Sequence, residues 1–70
     1  MNYTIQSNTQ VQIVEKEHEL NGKIRYVTGT QGEKSSNGTE IPEGWVEVRV
    51  EMDFHELFRE ENVIPTDYLI

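Results

Sequence analysis

The chain has no cysteine. No disulfide can staple it. Seventy residues make one domain, 1–70, and so short a chain buries only about 60% of its unfolded surface. Metal binding or oligomerisation is the usual remedy at this size, and a homodimer is the expectation. A chain without cysteine also fits a cytoplasmic address. Long hydrophobic runs are missing too. Nothing approaches the roughly 20 apolar residues of a membrane span. The opening MNYTIQSNTQ has neither a basic nor an apolar region, so no signal peptide is expected.

Basic residues are scarce. Six Lys and Arg stand against thirteen Asp and Glu, a formal charge of −7. Nucleic acid and anionic membranes repel such a chain, which argues against both as direct partners and for a basic protein partner.

Complete catalytic motifs are also lacking. GTQGEKS (29–35) approaches a phosphate-binding loop, but Glu33 intervenes before the lysine and no helix can follow. HELFR (55–59) begins like a zinc-protease helix, but Arg59 stands where the second histidine is needed. His18 reads as a surface histidine across the strand pair from Arg25, with its flanking acids on the other face. Glu51, Asp53 and Glu56 lack the Asp-rich, glycine-centred loop of a calcium site. Ser35 and Ser36 have no histidine nearby in sequence and no nucleophile elbow. Enzymatic activity, a metal and a cofactor are all unexpected.

What is present is a β-rich pattern. YTIQS (3–7) reads as a short strand. Asn21-Gly22 suits a two-residue type I′ turn joining strands near 9–20 and 23–30. That pairing sets Glu19 opposite Ile24, Glu17 opposite Tyr26 and Glu15 opposite Thr28. Residues 29–44 read as a long loop, rich in Gly, Ser, Thr and Asn. WVEVRVEMDF (45–54) alternates, with Val46, Val48, Val50, Met52 and Phe54 on one face. A short helix is expected next, with Asp53 as N-cap, Glu56 as its capping-box partner, and Phe54, Leu57 and Phe58 on the buried side. Asn62 would end it, and VIPTDYLI follows as an edge strand or as an arm, 62–70, packed on a second subunit.

The predicted fold is therefore α+β: an antiparallel sheet of three or four strands with one short helix, as a dimer. The predicted core is Ile13, Ile24, Tyr26, Val46, Val48, Val50, Met52, Phe54, Leu57 and Phe58. Neither face of the first hairpin is clean, so Val14, Leu20 and Val27 could serve a dimer contact instead.

The acids carry the functional reading. On a strand, Glu15, Glu17 and Glu19 would stand about 6.6–6.8 Å apart on one face. That is every second phosphate along a DNA strand, at about 3.4 Å each. A denser group holds Glu40, Glu43, Glu47, Glu51, Asp53, Glu56, Glu60 and Glu61, opposed only by Arg49 and Arg59. Trp45 opens the same strand face and would suit an interface that receives Arg and Lys. These residues are the candidate partner-binding set. They point to a DNA mimic that occupies the nucleic-acid site of a basic protein. Lys16, Lys23 and Arg25 form a basic patch that should face away from that partner. The alternative is a non-catalytic acidic module that binds through apolar contacts, at Trp45 and the tail 63–70.

The stretches VEKEHELNG and EGWVEVRVEMDFHELFREEN, in a chain of this length, charge and β-rich layout, resemble the small acidic proteins with which lytic phages disable their hosts. The particular resemblance is to phage inhibitors of the bacterial histone-like protein HU. It implies a homodimer in the host cytoplasm that covers the DNA-binding cleft and arms of HU. It assigns no individual contact residues.

Overall fold

The computed structural model describes residues 5–68. Five strands form one antiparallel sheet: β1 (Gln10–Ile13), β2 (Ile24–Gly29), β3 (Trp45–Glu51), β4 (Phe54–Arg59) and β5 (Val63–Pro65). Two 3-10 turns, Glu60–Asn62 and Thr66–Tyr68, are the only helical pieces among the described residues. The spatial order is β4-β3-β2-β1-β5, a four-strand meander whose last strand returns beside the first.

The expected α+β fold is thus incorrect, because its helix is strand β4. Phe54, Leu57 and Phe58 satisfy helical spacing, but Phe54 and Phe58 satisfy period two as well, with Leu57 on the opposite, exposed face. An isolated helix of this length is marginal, whereas β4 pairs along the whole length of β3, from Trp45 opposite Arg59 to Glu51 opposite Phe54. Asp53 is no N-cap. With Met52 it makes the two-residue turn between β3 and β4. Neither residue has a positive φ, so the turn is not of the primed kind that matches strand twist. A bulge between Arg49 and Glu51 takes up the difference.

The first hairpin is also shorter than expected. β1 stops at Ile13, and Gln12, not Glu19, lies opposite Ile24. Residues 14–23 are a chain of turns, closed by N–H to C=O bonds from His18 to Glu15, Asn21 to His18 and Lys23 to Leu20. Gly22 holds the third position of the last turn at φ +88°. Asn21 has no positive φ, so the type I′ turn does not form. The expected strand at 3–7 falls partly outside the described residues, and its described part, 5–7, is not in a strand.

The sheet must curl. β4 and β5 lie at opposite edges, about 19 Å apart if the sheet were flat, yet only Glu60–Asn62 separate them. Four Cα steps span about 14 Å at full stretch and less in a 3-10 turn. Closing the sheet into a half-open barrel resolves this. The turn is held from both sides: Val14 N–H donates to the Asn62 carbonyl at 2.8 Å, and Glu60 N–H donates to the Gly44 carbonyl at 2.9 Å.

Val11, Ile13, Val27, Val46, Val48, Phe58 and Val63 fill the barrel, with Ile5 at its rim and Leu20 and Val50 packed against them. Val27 is core, not a dimer contact. The face of β2 that carries Val27 and Arg25 points inward, so Ile24 and Tyr26 are exposed rather than buried. Met52 and Phe54 also lie exposed, at the hairpin tip beyond the bulge, as does Leu57.

The long loop is not structureless. Lys34 and Glu40 form a β-bridge, and Ile41 is buried against Gly29. Any Cβ on Gly29 would stand 2.7 Å from the Ile41 Cδ1. Glu47 alternates with the core residues Val46 and Val48, so it points to the outer face, and there the loop folds over it.

Candidate functional site

The folded chain brings together acids that are distant in sequence. Glu15, Glu17 and Glu19 do not line a strand. They stand in the loop 14–23, with Glu17 and Glu19 exposed and Glu15 half-buried. That loop packs on β4 and the 3-10 turn after it. The Asn62 side-chain amide donates to Glu15 at 3.2 Å. His18 lies 2.6 Å from the Glu56 carboxylate, and its ring sits 5.0 Å from that of Phe58.

The hydrogen bonds fix the histidine's tautomer. Leu20 N–H donates to His18 Nδ1 at 3.0 Å, so Nδ1 is an acceptor and Nε2 carries the proton given to Glu56. His18 is therefore a tie between loop and strand. It does not face Arg25, whose side chain bonds the Val50 and Ile24 carbonyls instead.

These contacts join the loop that carries Glu15, Glu17 and Glu19, with Lys16, to the segment that carries Glu56, Glu60 and Glu61, with Arg59. Lys16, expected to face away, stands within the acidic loop itself. Among the described residues Arg59 with Glu61, at 4.0 Å, is the one pair of oppositely charged side chains, while His18 meets Glu56 as a hydrogen-bond donor through Nε2. The remaining charge is not neutralised internally. Its field reaches solvent, where it attracts cations and basic surfaces.

Other predicted site residues lie elsewhere. Glu40 and Glu43 are exposed on the approach to β3, where the Gly44–Glu60 bond brings that approach to the 3-10 turn. Glu51 and Asp53 are exposed at the β3–β4 turn. Trp45 is half-buried, with the Arg59 guanidinium 5.0 Å over its ring, so its face already has a cation. Of the tail, Val63 and Pro65 are buried within β5, while residues 69–70 lie outside the described part.

Glu47 is the exception among the acids. It is only 5% exposed. Its carboxylate accepts the Ser36 N–H at 2.7 Å and the Thr28 hydroxyl at 3.0 Å, pinning the long loop to the sheet. Burial raises its pKa. The Ser36 backbone and hydroxyl, the Thr28 hydroxyl and the charge of His55 together outweigh that, and the net shift is downward. Glu33 is a second structural acid, on the surface. It accepts the Thr30 N–H at 2.8 Å, the Thr30 hydroxyl at 2.9 Å and the Ser7 hydroxyl at 3.1 Å. These bonds, the Thr30 N–H foremost, hold its pKa below the ordinary value.

Sequence reasoning missed this structural use of Glu47 and Glu33. The available signal was a carboxylate wedged between core valines, with a Ser- and Thr-rich segment, 28–39, before it. No known family, curated protein or solved structure matches the chain.

Proposed function

We propose that this protein is a non-enzymatic acidic inhibitor that docks on the nucleic-acid-binding surface of a basic protein and competes with DNA for it. The supporting observation is the convergence of two acid-rich segments, 14–19 and 56–61, through the His18–Glu56 and Asn62–Glu15 contacts. Carboxylates fixed on a folded surface attract Lys and Arg as phosphates do, and give fast, salt-sensitive association. The first partner to test is a nucleoid protein of the HU type, with the inhibitor acting as a homodimer in a bacterial cytoplasm. No helix of the described residues is long and apolar enough to cross a membrane.

The experiment is displacement of labelled duplex DNA from purified HU by the protein, at about 0.1 M and about 0.5 M salt, which bracket weak and strong screening. The expected result is displacement at low salt that fails at high salt and is lost in the triple variant E17K/E19K/E61K. These three positions are exposed, and none of them bonds the His18 or Glu56 side chain, though Glu61 gives up its 4.0 Å pair with Arg59. Displacement that ignores both salt and the triple reversal would overturn the mimicry, and an absence of displacement would remove HU as the partner.

A further inference from the structure

A second surface has the opposite character. Along β2 and the end of β3 lies an open groove of about 480 Å³. Three large apolar side chains line it while remaining exposed: Ile24 (39%), Tyr26 (55%) and Met52 (77%). Two of the chain's six basic residues, Arg25 and Arg49, line it as well, against the single acid Glu51. The local balance is positive in a molecule of charge −7.

The backbone around the groove is irregular. One bulge interrupts the ladder between Val27 and Gly29, and another between Arg49 and Glu51. Asn8, on the groove wall, is the only non-glycine among the described residues with a positive φ, at 72°. Bulges re-aim side chains and concentrate beside functional sites, and left-handed non-glycine residues persist where the surroundings hold them. All three irregularities border this one groove. The side chains are also pre-set. Arg25 is held by bonds to the Val50 carbonyl at 3.0 Å and the Ile24 carbonyl at 2.8 Å. Arg49 lies directly opposite Tyr26 across the strand pair. It is exposed and forms no ion pair among the described residues. Tyr, Met and Arg are the residues enriched in interface cores.

We propose that this groove binds an extended acidic peptide segment of a partner protein, presenting a carboxylate flanked by two apolar side chains on one face. Ile24 and Tyr26, two apart on β2, are spaced about 6.6–6.8 Å, the repeat at which an extended peptide presents alternate side chains. The guanidinium of Arg49 offers a fork of N–H donors that a carboxylate accepts two at a time. An open groove admits a chain running through it, whereas small-molecule sites enclose most of their ligand. The proposal stands apart from the acidic side and does not depend on the identity of its partner.

The test is an NMR titration of the ¹⁵N-labelled full chain with acetyl-Leu-Ser-Glu-Ser-Phe-amide, and with the same peptide carrying Lys for Glu. Shifts confined to residues 24–28 and 49–52 are expected, with the Lys peptide at least about tenfold weaker. R49E should abolish binding and R49Q should weaken it, both with an otherwise unchanged spectrum. Three results would each overturn the proposal: no shift at millimolar peptide, equal binding of the Lys peptide, or shifts centred on residues 14–19 and 56–61. Concentration-dependent self-association that R49E removes would assign the groove to a second copy and would overturn it too.

Discussion

Glu47 and His18 show how single polar side chains hold large segments in place. Glu47 N-terminal to Val48 looks from the sequence like one more surface acid, and alternation does place it away from the core. Alternation cannot reveal that the long loop returns to cover it, because that depends on Ile41 reaching Gly29. Replacing Glu47 by Ala leaves the Ser36 N–H without its acceptor and the Thr28 hydroxyl with only the long bond to the Glu47 carbonyl at 3.4 Å. A loss of about 1–3 kcal/mol is expected in urea unfolding. The pH dependence has a definite sign. Its carboxyl titrates lower in the folded chain than in the unfolded chain, so its stabilising contribution is complete above the ordinary carboxylate range. It is lost as pH falls through the lowered folded value. E47Q should flatten the acid limb of stability against pH, and an unchanged limb would contradict this account. Glu33 acts in the same direction. For His18, substitution by Ala removes the bonds to Glu56 and Leu20 and the contact with Phe58. Hydrogen exchange at the Leu20 and Val14 amides should then accelerate far more than at Val27 or Val48 in the barrel centre.

Among the elements, β3 is the most legible in the sequence, because Val46 and Val48 alternate with polar residues and are buried where expected. β1, 10–13, lies wholly within the expected strand near 9–20, with Ile13 in the core as expected, but the turns that replace the rest of that strand leave no periodic mark. β4 defeats the reading because FHELFR fits two periods, and pairing with β3 decides between them. That pairing leaves β4 at a sheet edge without the lysine or proline that commonly guards one, with Phe54 and Leu57 exposed along it. L57K, a charge placed on that edge, should therefore reduce aggregation on heating, read by light scattering, while leaving the unfolding free energy in urea within about 0.5 kcal/mol of the parent. Its interior neighbour behaves in the opposite way. F58A, at a fully buried position, should cost about 3–5 kcal/mol.

At the scale of the molecule, the charge excess was legible, but its arrangement was not. The regular row Glu15, Glu17, Glu19 does not exist as a row. The three meet Glu56, Glu60 and Glu61 only because the sheet closes and His18 ties loop to strand. With so few ion pairs and a charge of −7, self-repulsion works against the compact state. Raising sodium chloride to about 0.5 M should shift the urea midpoint upward by screening it. A downward shift would mean that attractive pairs dominate after all. The three-residue passage Glu60–Asn62 has one more consequence, for the order in which the chain assembles. The pairings of β1 with β2, β2 with β3 and β3 with β4 join neighbours in sequence and can form as successive hairpins, whereas β5 meets β1 by setting Pro65 opposite Val11, almost the full length of the chain away. Non-local pairing of this kind slows folding. The last strand thus acts as the clasp of the barrel: until β5 meets β1, the meander is finished but its seam stands open.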